Sequence, residues 1–483
     1  MKLGVRHPLT STVLGTEFES DPQIDAGSGP GGYPGLLPVS ASLRILIFMP
    51  DPRVTRPGKS ISDWKGTVVE IVYGRVAAID VGKKEVAVTV RVPGEVPGAR
   101  RQQTRKFRTF YQVLAQMVGW LVEQGVTHVA MEATGVYWKP VFHALCEVDT
   151  LEVVLVNARH VKNVPGRKTD VKDSEWLAQL LECGLLRGSF IPPRDIAAIR
   201  ELTRYRKKTI QARTRELQRL SKVLEDAGIK IDSVASSITT LSARDMVEAL
   251  ISGERDPRVL ADLARGRMRS KIPDLTLACA GRFGAHHGLL ARMHLDHIDH
   301  LTFMIDGLDD RIEEVMGPFA EQLRLLRTIP GIGDRAAQVL ISEIGVEMSR
   351  FPTAAHLASW AGLCPGNNES AGRHMSGRTR KGNAEVRDIL TLSAWSAGKT
   401  GSYIGAQFHR LHRRFGKKGG GKAAIAVAHT LIVITWHVLH DGSEYRELGH
   451  DYFTRRDNPD ATKRRMIHTL EALGYHVELT ATA

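Results

Sequence analysis

The chain has 483 residues, 66 Lys and Arg against 53 Asp and Glu, a formal charge of +13 and a pI near 9.6. This exceeds one ordinary domain and fits roughly two to four compact units, and the positive balance favours a polyanion, with nucleic acid the first candidate, over an acidic partner. Cys146, Cys183, Cys279 and Cys364 lie far apart with no CxxC spacing, which supports neither a zinc knuckle nor a disulfide framework and fits a reducing cytoplasm; no charged segment followed by an apolar core opens the chain, so nothing supports secretion.

Residues 1–70 are rich in Gly, Pro and Ser without helical or strand periodicity, which predicts a disordered extension. A start codon placed too far upstream is one origin for it, in which case a chain beginning near Val68 keeps full activity. Order is expected from Arg75. Residues 75–80 read as a strand, 81–84 as a turn carrying Gly82, and 85–92 as a strand with Val86, Val88, Val90 and Val92 on one face. A third strand is expected over 105–109, then a helix (110–124), a strand (126–131), a helix (137–147), a strand (152–156) and a helix (171–184). Three antiparallel strands followed by strand and helix alternation match the order of an RNase H-like α/β domain, set here over 71–190.

The middle of the chain, 191–322, reads as helical. A basic helix is expected over 195–227, and Ile298, Leu301, Ile305, Leu308, Ile312 and Val315 step by three and four as in a coiled coil or bundle; the two are expected to form a helical hairpin around an irregular insertion at 230–288. A C-terminal domain is expected over 323–455, followed by a tail at 456–483. It opens on Ile329-Pro330-Gly331-Ile332-Gly333 and a helix over 334–344, similar to a helix-hairpin-helix element in which glycines let amides approach a phosphate; a turn between two helices explains the same residues without a ligand. The apolar run 423–439 contains His429, Thr430, Thr435 and His437 and is shorter than the roughly 20 residues a bilayer requires, so a buried helix and no membrane are expected.

Four carboxylates stand out. Asp80 and Glu132 end predicted strands, and Asp170 and Asp173 lie three residues apart at a helix start, on one face. If the strands of Asp80 and Glu132 are neighbours, the four converge, and their repulsion calls for a hard divalent cation, Mg²⁺ or Mn²⁺. Two such ions could activate the attacking oxygen and stabilise the leaving one. Each acid alone has a plainer role: helix N-terminal acids for Asp170 and Asp173, a turn former for Asp80, an exposed strand end for Glu132. Basic residues gather at Arg200, Arg204, Arg206, Lys207 and Lys208, continuing to Lys222, again at Arg373, Arg378, Arg380 and Lys381, and again between Arg410 and Lys422; such clusters are phosphate tracks or solvated surface.

Ala78-Ile79-Asp80-Val81-Gly82-Lys83, Met131-Glu132-Ala133-Thr134-Gly135-Val136-Tyr137-Trp138 and 166–173 (GRKTDVKD), with 329–333, 360–372 (WAGLCPGNNESAG) and 376–383 (SGRTRKGN), resemble the DEDD-type insertion-sequence transposases of insertion sequence family 110. The resemblance runs from about Arg75 to Arg455. It implies an N-terminal domain similar to Holliday-junction resolvases, with Asp80, Glu132, Asp170 and Asp173 as catalytic metal ligands, and a C-terminal domain whose serine, at the matching position Ser370, is a covalent nucleophile on DNA. Ser376 is the nearest competitor, and a loop serine bonded to its own backbone is the plainer alternative. A serine hydroxyl needs a base or a metal for this work, and Arg373, Arg378, Arg380 and Lys381 would bind the DNA backbone and neutralise charge on the phosphoryl oxygens. The resemblance further implies mobilisation of an insertion sequence, with element ends and target as DNA partners, a guide RNA encoded by the element whose pairing sets the sequence, and a homo-oligomer, dimer or tetramer, in which the acids of one subunit complete the serine site of another. Arg204, Arg206, Lys207 and Lys208 suit RNA or DNA, and Tyr137 and Trp138 suit base stacking or a core. The alternative function is a junction-resolving endonuclease that uses water, with the four acids sufficient; a non-catalytic nucleic-acid-binding protein with structural acids is a third.

Overall fold

Alternating valines build the sheet on which the acids stand. The structure, a computed structural model, describes residues 71–478 except 97, 134, 158–172, 367–368, 371–372, 375–376 and 457–458; the expected extension at 1–70 therefore lies outside the described residues. Strands β1 (Val76–Val81), β2 (Glu85–Pro93) and β3 (Arg100–Arg108) form an antiparallel meander. Helix α1 (Tyr111–Glu123) then leads to β4 (His128–Glu132), and helix α2 (Trp138–Leu145) to β5 (Glu152–Val156), both parallel to β1. The sheet order is β3-β2-β1-β4-β5, so β1 is central, as its fully buried Val76, Ala77, Ala78 and Ile79 require. β3 starts five residues before the expected strand because its residues are charged or polar: an edge strand with an exposed face carries little hydrophobic periodicity.

The two faces of the sheet have separate cores. Ala77, Ile79, Val129 and Met131 pack with Leu114, Met117 and Leu121 of α1 and Val141 and Leu145 of α2. On the other face Val76, Ala78, Ala130 and Val156 pack with Leu177, Ala178 and Leu181 of α3 (Asp173–Glu182).

Beyond α3 the chain is mainly helical. The 33-residue α4 (Arg194–Asp226) forms the expected hairpin with a later 31-residue helix, Ala285–Val315. Leu220 and Leu224 pack with Leu295 and Ile298, and Ile196 and Ile199 with Ile312, so the arms are antiparallel. Of the stepped apolar residues, Ile298, Leu301, Ile305 and Ile312 are buried and Leu308 and Val315 half-buried. The segment between the arms is not irregular. It folds into α5 (Ile231–Val234), α6 (Leu241–Ile251), α7 (Pro257–Asp262), a 3₁₀ turn and α8 (Ile272–Ala278), whose Ile231, Met246, Leu260 and Leu275 share a core with Leu220 and Leu224 at the hairpin end. α5, α7 and α8 are too short to show a period of 3.6 in sequence, whereas α6 carries it in Ala243, Met246, Val247 and Leu250. The Ala285–Val315 arm is α9.

A fourth core holds α10 (Ala320–Arg327), α11 (Asp334–Ile344), α12 (Ala354–Trp360), and, beyond the short strands β6 (Glu369–Ser370) and β7 (Arg373–His374), α13 (Ala384–Ala397), α14 (Tyr403–Phe415) and α15 (Gly420–Asp441). α15 is the one helix among the described residues long and apolar enough to cross a membrane, and half of that stretch is buried. Its Ala424, Val427, Ala428, Leu431 and Ile432 fill the core, and Trp436 donates its indole N–H to the Phe351 carbonyl at 2.8 Å. The short α16 (Tyr452–Arg456) falls at the end of the expected C-terminal domain, and the expected tail contains a helix, α17 (Pro459–Ala472).

Gly331 has φ +89°, and a Cβ there would lie 2.4 Å from the Ser393 carbonyl oxygen and 2.8 Å from Ala397 Cβ. Packing against α13 thus explains this glycine of the expected helix-hairpin-helix turn.

Candidate acidic site and serine hairpin

Two neighbouring parallel strands set the spacing of the first two acids. β1 and β4 run in register to Ile79 opposite Met131, so Asp80 and Glu132 occupy the next step on each strand. Side chains alternate along a strand. Since Ala78 and Ala130 point into the α3 core, Asp80 and Glu132, two residues further on, point to the same face, where α3 begins with Asp173.

The start of α3 is fixed from the sheet. The Ser174 and Thr89 hydroxyls are 2.9 Å apart and buried, and Thr89 pairs with Ala78 across β1 and β2. At the other end of the helix the buried Glu182 accepts from Arg91 Nε at 2.8 Å and also pairs with Arg100. Neither Thr89 nor Ser174 stands out in the sequence, because a buried hydroxyl pair has no spacing of its own.

The carboxyl of Asp80 is raised above its ordinary range, first by burial of part of the group against the protein and then by the negative charge of Asp173. Asp80 and Asp173 are therefore electrostatic neighbours although 93 positions separate them in the numbering. Glu132 is half-buried. Asp170 lies outside the described residues. The donor set is all carboxylate oxygen, with repulsion between two members, which fits a hard divalent cation. Elsewhere, Asp226, His286 and His287 also bring ligand atoms within 4.8 Å of one another. There His287 Nδ1 accepts from the Gly284 amide at 3.0 Å and its Nε2 faces Asp226 at 3.0 Å, so the ring carries its proton on Nε2 and serves as a helix cap and hydrogen-bond donor.

Ser370 lies near the tip of a hairpin. Pro365 bridges to Thr379, the Gly366 amide donates to the Arg378 carbonyl at 3.1 Å, Glu369 pairs with His374, and Ser370 pairs with Arg373. Ser376 lies outside the described residues. Arg378, Arg380 and Lys381 on the returning strand are exposed, and Arg380 is near enough to Cys364 to act on its thiol. The base of the hairpin is anchored by Asn383. Its Oδ1 accepts from the Glu385 and Val386 amides, capping α13, and its Nδ2 donates to Glu343 Oε2 at 2.7 Å. Glu343 is fully buried and holds Arg204 by two bonds of 2.7 and 2.9 Å, with Arg200 Nε at 3.5 Å.

The basic face of α4 is divided accordingly. Arg204 is tied to Glu343; Arg206 is buried against Asp309 and Gln338 at 2.7 and 2.8 Å; Lys207 joins Glu385 and Asp388 at 2.8 and 2.9 Å. These charges bind α4 to its neighbours, whereas Lys208 is exposed. Tyr137 is exposed, and Trp138 packs edge-on against Phe142 beside the α1–α2 core.

Comparison with known proteins bears on both sites. Residues 77–229 match a transposase family profile of the IS110 DEDD type, and residues 323–410 match the profile described as Transposase IS116/IS110/IS902 family. The chain is 33% identical over 123 residues to the insertion element IS110 uncharacterized 43.6 kDa protein of Streptomyces coelicolor, covering 25% of this chain and 29% of that one. It is 31% identical over 163 residues to the pilin gene-inverting protein of Moraxella bovis, 32% of this chain and 49% of the relative. A longer match, 24% over 370 residues, covers 73% of this chain and 77% of the putative transposase y4qE of Sinorhizobium fredii. The alignments with the first two relatives thus span less than half of their length. Both profiles match in chain order, one over the acids and the other over the serine hairpin. The chain belongs to the IS110 family of DEDD transposases.

Proposed function

We propose that the protein is a transposase or site-specific DNA recombinase that mobilises an insertion sequence by cutting and rejoining DNA through Ser370. The carrying observation is the placement of Asp80, Glu132 and Asp173 on one face of the sheet, with Asp80 and Asp173 in mutual repulsion. In this reading the domain is RNase H-like, and Asp170 completes the set. The four carboxylates hold Mg²⁺ or Mn²⁺, which when bound supplies charge stabilisation at the phosphoryl oxygens.

The Ser370 oxygen attacks the phosphorus, and its proton passes to a carboxylate of the acidic cluster. The bond from phosphorus to the leaving sugar oxygen breaks and that oxygen takes up a proton. The phosphoserine link keeps the phosphodiester energy, so rejoining by the reverse displacement needs no ATP. Lys208, Arg373, Arg378, Arg380 and Lys381 hold the DNA backbone. Arg204, Arg206 and Lys207 act from behind by fixing α4. The acids of one subunit meet the hairpin of another in a homo-oligomer, in the bacterial cytoplasm with the nucleoid, and an RNA encoded by the element guides the choice of sequence. The pilin gene-inverting and transposase relatives support DNA as substrate.

The test uses the full chain with element-end DNA and Mg²⁺. The wild type is expected to give strand cleavage and a protein–DNA adduct that survives denaturation, and Ser370→Ala to lose both. A variant that still cuts would establish the water-using endonuclease instead. Asp80→Asn with biological activity intact and no dependence on Mg²⁺ would establish a binding protein. Sequencing of RNA copurifying from cells that carry the whole element tests the guide, which is expected to be a transcript of the flanking DNA.

A further inference from the structure

Between Asp388 and Asp441 the chain has 52 residues and no carboxylate, while Arg410, Arg413, Arg414, Lys417, Lys418 and Lys422 fall within thirteen positions. Arg410 stacks over Phe453. The other five are exposed, and among the described residues none reaches a carboxylate. Arg413 and Arg414 end α14, where cations complement the helix dipole. That account fails for the three lysines: Lys417 and Lys418 immediately precede α15 and Lys422 is in its first turn, where the dipole disfavours positive charge. The free protein therefore concentrates cations where its own electrostatics oppose them.

Exposed rings lie among these charges. Trp395 is 43% and Phe415 40% exposed, with Leu392 one turn from Trp395 at 64%. They adjoin the lysines through the glycines of 419–421. A Cβ on Gly420 would come 2.6 Å from the edge of the Trp395 indole and 3.7 Å from His412 Nε2, and one on Gly419 would meet Phe415. Trp395 is braced from behind by Phe408, centroids 5.0 Å apart, and among the described residues its indole N–H has no hydrogen-bond partner. A braced, partly open aromatic ring amid uncompensated cations suits a backbone of phosphates whose bases are free to stack. A duplex keeps its bases stacked on one another and would use the charges alone, and an acidic protein would leave the rings without flat partners.

We infer that the surface formed by Trp395, Phe415, Lys417, Lys418 and Lys422 binds single-stranded DNA, the bases stacking on the rings and the phosphates lying along the lysines. This goes beyond the cleavage chemistry and does not depend on Ser370 being the nucleophile.

The test measures fluorescence anisotropy of a labelled 15-nucleotide mixed-sequence DNA strand with the full chain at several salt concentrations, in parallel with the same sequence as duplex and as RNA. Trp395→Ala is expected to weaken binding of the DNA strand about tenfold with a smaller effect on duplex, and Trp395→Phe to restore most of it. The double variant Lys417→Gln, Lys418→Gln is expected to reduce the slope of log affinity against log salt by about 1.4. These two lysines are exposed, so the double variant decides the matter if Trp395→Ala does not fold. An unchanged affinity in these variants, an equal loss for duplex, RNA bound more tightly than DNA, or a lysine-dependent binding of phosphatidylserine vesicles in place of the strand would each overturn the assignment.

Discussion

Thr89 and Ser174, 85 positions apart in the chain, meet hydroxyl to hydroxyl at 2.9 Å in a buried contact that fixes the first turn of α3 over β1 and β2. Asp173, the preceding residue, is held beside Asp80 by this contact. Thr89 also bonds the Thr104 hydroxyl at 2.9 Å. Thr89→Val should therefore cost more than Ser174→Ala, since it strands the buried Ser174 hydroxyl and leaves Thr104 only its 3.5 Å bond to Glu175, where the other change strands none; about 1–3 kcal/mol is expected for the threonine change, read from urea unfolding. Both should weaken Mg²⁺ binding, as measured by calorimetry.

Asp80→Asn separates metal chemistry from stability. The folded-state pKa of Asp80 is raised, so folding favours its protonated form: its contribution to stability is greatest below the unfolded-state pKa and declines as pH rises through the window up to the folded value. At pH 7 without metal the asparagine variant should melt no lower than the wild type, and the difference should close in acid. Added Mg²⁺ should raise the melting temperature of the wild type and raise that of the variant less. A lower melting temperature for the metal-free variant at pH 7 would remove the repulsion argument.

Glu343 joins α4, α11 and the base of the serine hairpin. Glu343→Ala leaves Arg200 and Arg204 without their buried partner and should destabilise the chain by about 3–5 kcal/mol in denaturant unfolding. Glu343→Gln retains the bond to Asn383 and should cost less. Equal losses would show that charge, and not the anchoring of Asn383, is what matters there.

Gly331→Ala and Gly333→Ala distinguish packing from phosphate binding in the turn before α11. The first places a methyl group against the Ser393 carbonyl at positive φ and should cost about 1–3 kcal/mol without any nucleic acid present. At Gly333 nothing lies within 4 Å of an added Cβ, and the change should stay under about 1 kcal/mol. Thermal unfolding of the two variants checks the ranking.

Local pattern was enough to place β1, β2, α1, β4, α2 and β5, since a buried face imposes a period of 2 or 3.6 on the residues that form it. It also singled out Asp80, Glu132 and Asp173 as chain-local features, strand ends and a helix start, and the stepped apolar residues of α9. The extent of β3 and the helices α5, α7 and α8 between the hairpin arms stayed hidden, the first because an exposed edge needs no apolar alternation and the others because they are too short to repeat; α6 does carry the period, in Ala243, Met246, Val247 and Leu250. Tertiary structure alone decided which basic residues of α4 are occupied: Arg204, Arg206 and Lys207 look like Lys208 in a list of charges, and only the arrival of Glu343, Asp309, Glu385 and Asp388 from other helices distinguishes them. The same holds for the meeting of Asp80 with Asp173 and for the burial of Thr89 against Ser174. A sequence records the faces of its elements, because burial acts on neighbouring residues with a fixed period; it does not record which distant charges and hydroxyls meet, because a pair made across the fold leaves no spacing behind.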